Sequence, residues 1–334
     1  MKITHNYPGA SIKVIKNNEK ENTIYLSLKE EANSYSHYYN FTIENSKQNE
    51  GTIYLQNIKK SPYYHEKIKQ VPYTKTTKWQ PLKNYSIDEN GDFIIKIPTN
   101  STQEISLVPR YTFQDLKEFI KKNHSHNTTI KYEPIPKIII GNPKLPAIIF
   151  TARQHPGETL SSFFLEGIIK EIQNIPSLLE KYCFIFFPIV NTKGVETGVH
   201  RLLDGIDYNR SWNSKEKPFE IKCIEEELNK YKILTFIDVH NDEVTKDNYL
   251  RLNYKTSKDK IGGIKVLEIP KKYRRFLRAL IKQRKIINIF SYTANEYVSK
   301  KYHCHTILVE LSMSEKYENI EKLGKKFIID LCNK

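Results

Sequence analysis

The sequence predicts an α/β protein, a mixed and mostly parallel sheet flanked by helices, preceded by a small antiparallel β-sandwich. Three observations carry that expectation. Short segments alternating apolar and polar residues recur through the first hundred positions. After about residue 109, apolar strand-like runs alternate with segments of helical period. Three of those later apolar runs end in, or contain, His or Glu.

The first part reads as strands at 11–15, 23–28, 38–43, 52–55 and 92–97, separated by polar, turn-rich segments. Regular spacing of short alternating strands is the pattern of a sandwich or barrel. Asp88-Glu-Asn-Gly91 is read as a turn, and 60–83, rich in Tyr, Pro and Lys, as a loop. The boundary is placed in 98–109, giving domains 1–108 and 109–334. A helix is expected over 111–120, with Thr112 as its cap and Phe113, Leu116, Phe119 and Ile120 on one face. Strands are expected at 137–140 and 147–150, around Gly141-Asn-Pro143. The chain then alternates: helix 159–173, strand 183–190, helix near 219–230, strand 233–239, helix 271–283, strand 306–311 and a last helix over 315–331. Alternation of this kind implies a sheet covered by helices on both faces.

The 334 residues give volume for two domains. The formal net charge of +15 points to an anionic partner. The lysines are scattered, without a long basic tract interleaved with aromatics, so nucleic acid is not the expected partner. No stretch approaches the roughly 20 apolar residues of a membrane span, and the start Met-Lys-Ile-Thr-His-Asn-Tyr-Pro-Gly has no apolar leader core. A cytoplasmic protein without membrane contact is expected. The four cysteines are far apart and read as reduced thiols.

The chemistry concentrates at strand ends. His155 and Glu158 follow the run 146–150 in Arg-Gln-His-Pro-Gly-Glu-Thr, on a strand-to-helix turn at the sheet's carboxyl edge, where ligands gather in open α/β sheets. His240 ends the next such run, and Glu310 interrupts the apolar 307–311. Each has an ordinary alternative: a solvated turn, a capped core histidine, a lysine salt bridge. Together, two His and one Glu are the ligands of a catalytic zinc that keeps a position open, and a second Glu beside it can serve as base. In the loop after 183–190, Arg201 and Arg210 have the forked geometry for a carboxylate, and Asn209 adds a neutral donor.

The ordered set His155-x-x-Glu158, Pro188-x-x-Asn191-x-x-Gly194, Arg201, Asp207-x-Asn209-Arg210-x-Trp212, His240 and Glu310 resembles the zinc metallocarboxypeptidases of the carboxypeptidase A type. His-Pro-Gly-Glu-Thr, the N-terminal β part and Pro109-Arg-Tyr-Thr-Phe-x-x-Leu116 are similar to the cytosolic carboxypeptidase branch, whose eukaryotic members trim glutamates from protein tails. The resemblance covers 105–334 well and the first hundred residues loosely. It implies one zinc ion per chain on His155, Glu158 and His240, with Glu310 as general base. It further implies Arg201 at the oxyanion and Asn209 with Arg210 on the substrate's terminal carboxylate. The substrate is then the C-terminal tail of a peptide or protein, and the positive charge favours acidic, Glu-ended tails. The family's substrate-closing Tyr has no residue at its usual spacing; Tyr292 and Tyr297 are the nearest candidates. A cell-wall peptide carboxypeptidase and a zinc deacylase of N-acyl amino acids are the alternative activities on the same scaffold.

Overall fold

The structure is a computed structural model that describes residues 1–32, 36–61, 71–253, 258, 260–267 and 293–333. The expected helix 271–283 lies outside the described residues.

Among the described residues, ten strands build the N-terminal part: β1 Lys2–Thr4, β2 Lys13–Asn18, β3 Thr23–Ser27, β4 Asn40–Asn45, β5 Gly51–Gln56, β6 Tyr73–Lys75, β7 Trp79–Pro81, β8 Tyr85–Ile87, β9 Phe93–Ile97 and β10 Ser101–Ser106. They form two sheets of five, in the orders β1-β4-β10-β6-β7 and β2-β3-β5-β9-β8. Alternation decides which side chains meet between the sheets: Ile53, Leu55, Phe93, Ile95 and Ile97 from one and Phe41, Ile43 and Ile105 from the other share one core. The expected antiparallel sandwich is present with one exception, since β3 and β5 run parallel. The expected loop 60–83 is corrected in part. β6 and β7 pair as an antiparallel hairpin, too short for alternation to register in the sequence, while 62–70 lie outside the described residues. β10 was hidden because Ser101-Thr-Gln-Glu is polar; it pairs with β4 from Ser101↔Asn45 to Ser106↔Asn40.

The helix Phe113–Asn123 starts at Thr112 with a complete capping box: Asp115 N donates to Thr112 Oγ1, and Thr112 N donates to the Asp115 carboxylate at 2.8 Å. Nine strands follow among the described residues: β11 Thr128–Lys131, β12 Lys137–Ile140, β13 Ala147–Ala152, β14 Cys183–Phe187, β15 Ile233–Asp242, β16 Tyr249–Leu252, β17 Lys260–Ile261, β18 Ile264–Val266 and β19 His305–Ser312. They form one sheet in the order β11-β12-β14-β13-β15-β19-β16-β18-β17. The central β14-β13-β15-β19 run is parallel, as expected. The outermost pairings, β11 with β12 and β17 with β18, are antiparallel, so among the described residues the sheet is mixed around a parallel centre, as expected. The edge strands β11, β16, β17 and β18 are short, which is why apolar runs alone did not mark them.

Every residue of β13 and β14 is buried, which requires cover on both faces. Ile148 and Phe150 pack toward the helices Leu160–Asn174 and Tyr317–Cys332. Ala147 and Ile149 pack toward Phe219–Leu228 and Ala294–Tyr302. The first two helices touch backbone to backbone. A Cβ on Gly167 would lie 2.1 Å from Glu321 O, and one on Gly324 would lie 2.2 Å from Phe164 O. Alanine normally stabilises a helix relative to glycine by up to about 1 kcal/mol. Here Gly167→Ala and Gly324→Ala are each expected to destabilise by roughly 1–3 kcal/mol through overpacking, read as a lower urea midpoint. A rise in midpoint would show that the helices can separate without cost.

Candidate metal centre and active site

β13 delivers the chain to a tight turn. Arg153 leaves the strand with φ +60°, a conformation uncommon outside glycine and Asn. Its buried guanidinium holds it there: Nε donates to Pro156 O at 2.8 Å, and Nη1 donates to Tyr111 O at 3.0 Å and Ser162 Oγ at 2.9 Å. Burial lowers the Arg153 pKa to about 10, which leaves it cationic at neutral pH. Gly157 is fixed by proximity, because a Cβ would fall 2.3 Å from His200 Nδ1, and its N–H donates to His200 O at 2.8 Å. The turn thereby brings His155 and Glu158 to one point.

Both carboxylate oxygens of Glu158 face an imidazole Nδ1. Oε1 is 2.6 Å from His155 Nδ1 and Oε2 is 2.8 Å from His240 Nδ1. The opposite ring nitrogens are held by carboxylates as well: His155 Nε2 lies 3.1 Å from Asp207 Oδ1, and His240 Nε2 lies 2.8 Å from Asp238 Oδ2. Asp238, fully buried, also accepts from Thr151 Oγ1 at 2.6 Å and Gln154 Nε2 at 2.7 Å, and Trp212 Nε1 donates to Gln154 Oε1 at 2.7 Å. Two Nδ1 atoms and a carboxylate converge, with each outer nitrogen anchored. That is the donor set and the supporting shell of a zinc site. His155, Glu158 and His240 would therefore hold the metal. Burial alone would raise the Glu158 pKa, but His155 and His240 hold it well below the carboxylate range, so Glu158 stays anionic.

Glu310 stands beside this cluster because β15 and β19 run parallel with His240 opposite Glu310. Burial pushes its carboxyl up to about 8; His240 opposes that, and Glu158, Asp242 and Glu243 add to it. Arg201 grips Asp207 through Nε at 3.0 Å and Nη2 at 2.9 Å, on the oxygen opposite the one facing His155. Asn209 is buried, its Oδ1 accepting from Ala294 N at 2.9 Å and its Nδ2 lying 3.1 Å from His240 Nε2. Arg210 donates from Nη1 to Asn209 O at 3.0 Å. The structure thus brings His155, Glu158, His240, Glu310, Arg201 and Asn209 together.

Tyr292 lies outside the described residues. Tyr297 is placed elsewhere: its hydroxyl bonds Glu225 and accepts from Lys217 Nζ at 3.0 Å, and its ring packs at 6.0 Å against Trp212. The candidate substrate role for Tyr297 is corrected on that ground, since the hydroxyl is committed to a partly buried ion network. In that network, Glu225 also accepts from Lys301 at 2.8 Å. Burial raises the Glu225 pKa, but the bonds from Lys217, Lys301 and Tyr297 outweigh it and hold the carboxyl below its ordinary value. Its contribution is present above the unfolded pKa of about 4.3 and is lost as pH falls through the lower folded value. Glu225→Gln is expected to cost about 2 kcal/mol near neutral pH, with the gap to wild type closing in acid. A gap that does not change with pH would refute the charge-based account.

Asp207, Asp238, Gln154 and Arg153 were not assigned roles from sequence. Asp207 and Asp238 each carried a signal, standing two residues before Asn209 and His240. Arg153 and Gln154 carried none, because their work is to hold backbone and a carboxylate.

The sequence profile described as zinc carboxypeptidase matches residues 124–331. Mouse cytosolic carboxypeptidase 1 is 43% identical over 74 residues, which are 21% of this chain and 6% of that protein. Caenorhabditis elegans cytosolic carboxypeptidase 6 is 37% identical over 90 residues, 25% of this chain and 19% of that protein. The matched parts are thus small fractions of these relatives' lengths. A metallo-carboxypeptidase from Burkholderia cenocepacia superposes with a TM-score of 0.77 at 14% identity, covering 99% of this chain and 97% of that one. One from Pseudomonas aeruginosa, in complex with (2-guanidinoethylmercapto)succinic acid, gives 0.76 at 18% identity, covering 99% and 98%. At such identities the superpositions speak for the fold alone, while the profile spans well over half the chain. The chain belongs to the zinc carboxypeptidase family, and the zinc of that family is the metal its two histidines and glutamate suit.

Proposed function

We propose that this protein is a cytoplasmic zinc-dependent carboxypeptidase that hydrolyses the C-terminal peptide or isopeptide bond of peptides or protein tails, with acidic, Glu-ended tails favoured. The observation that carries the reading is the register of β15 and β19, which sets a carboxylate outside the ligand set next to His240. Zinc on His155, Glu158 and His240 supplies Lewis acidity toward the scissile carbonyl and toward water. Glu310 takes the proton of the attacking water and returns it to the leaving amine. Arg201, anchored on Asp207, offers positive charge to the oxyanion, a contribution of about 3 kcal/mol for a well-aimed donor. Asn209 and Arg210 bind the terminal carboxylate, which a mid-chain bond lacks, so cleavage is confined to chain ends. Residues 1–108 form a separate β domain in this reading. The net charge of +15 supports acidic tails by long-range attraction. No described helix is long and apolar enough to cross a membrane.

The test is mass spectrometry of peptides ending in Glu, Lys, Leu or D-Ala, with and without a zinc chelator. Single residues lost from the C-terminus, fastest for Glu, with loss stopped by chelator and restored by zinc, are the expected result. Turnover of the D-Ala peptide alone would favour a cell-wall substrate. Intact peptides beside cleaved N-acyl amino acids would replace the reading with a deacylase.

A further inference from the structure

A second convergence of metal-binding side chains lies outside the catalytic set. His37, His200 and Glu243 each offer one ligand atom, and these atoms all lie within 4.8 Å of one another, the same criterion that His155, Glu158 and His240 satisfy. All three are buried, at 4%, 1% and 5% exposure. His200 Nε2 lies 3.1 Å from Glu243 Oε1, close to the roughly 3.3 Å edge of a tetrahedral zinc site with bonds near 2.0 Å. The rings of His37 and His200 meet edge to face at 4.5 Å. His37 Nδ1 is bonded to Ser61 Oγ at 2.6 Å, the kind of anchor through one nitrogen that orients a ligating imidazole.

We propose that His37, His200 and Glu243 form a second metal site, which takes a divalent cation of the zinc class and ties the N-terminal strands to the catalytic sheet. Two imidazoles and one carboxylate are a nitrogen-rich set suited to zinc or cobalt rather than to calcium or magnesium. The three ligands come from distant parts of the chain: the segment before β4, the loop after the helix Thr192–Glu196, and the residue after β15. The same loop is already bound to the N-terminal part, because the Glu31 carboxylate accepts from the backbone N–H of His200, of Arg201 at 3.0 Å and of Leu202 at 2.9 Å. A cation there would lock a junction that the Glu31 carboxylate already defines.

The test counts metal in the full chain after chelator treatment, reloading with zinc and removal of loosely held ions. Two zinc ions per chain are expected in wild type, and one in each of His37→Ala, Glu243→Gln and His240→Ala. The second equivalent should raise the Tm of wild type and leave that of Glu243→Gln unchanged. One ion in wild type would overturn the proposal, as would two ions retained in both His37→Ala and Glu243→Gln, or none in His240→Ala. Should His37→Ala fail to fold, wild type and Glu243→Gln still decide. The count reads bound metal and not cleavage, so it is independent of the peptidase reading.

Discussion

Glu310→Gln is expected to lower kcat by about 10²–10⁴-fold, the range for removing a general base, while zinc content stays that of wild type. The amide keeps the shape of the carboxyl but cannot take a proton from water. Because Glu310 lies in β19 opposite His240 and outside the ligand set, its loss should leave the metal in place. The pH dependence follows from the same surroundings. Burial pushes this carboxyl up to about 8, and a bound dication beside it works in the opposite direction. The base acts deprotonated, so kcat/KM should fall as pH is lowered, with its acid limb below pH 8 in the zinc-loaded enzyme and absent from Glu310→Gln. Full activity in the variant would place the base elsewhere, and loss of zinc would make Glu310 a ligand.

The second large effect is on the metal. His240→Ala is expected to empty this centre and abolish cleavage, because the two remaining side chains give too few donors for a zinc site. The graded test is Asp238→Asn. Asp238 holds His240 Nε2 at 2.8 Å while accepting from Thr151 and Gln154, so it sets which nitrogen of His240 points at Glu158. Removing such an anchor weakens zinc binding by about 10–100-fold, readable by competition with a chromophoric chelator. Asp207→Asn should behave alike through His155. Unchanged affinity in both variants would mean that packing alone orients the rings.

The resemblance picked out the ligand set because its members lie where apolar strands stop, and a polar group there is visible against its neighbours. Tyr297 went the other way: its distance along the chain said nothing of its hydroxyl, which Lys217, Glu225 and Lys301 had claimed. The pairing of His37 with His200 was equally illegible, since 163 residues separate them and neither stands in a patterned run.

By itself the sequence determined the helices Phe113–Asn123, Leu160–Asn174, Phe219–Leu228 and Tyr317–Cys332 and the central strands, and it singled out the candidate donors, because periodicity and strand-end chemistry are local properties. The tertiary structure decided the antiparallel edges of the sheet, the anchoring of both zinc-facing rings by Asp207 and Asp238, the neighbourhood of Glu310, and the buried His37, His200 and Glu243 cluster. These depend on strand register and on loops from distant positions meeting in space, and neither leaves a period in the chain.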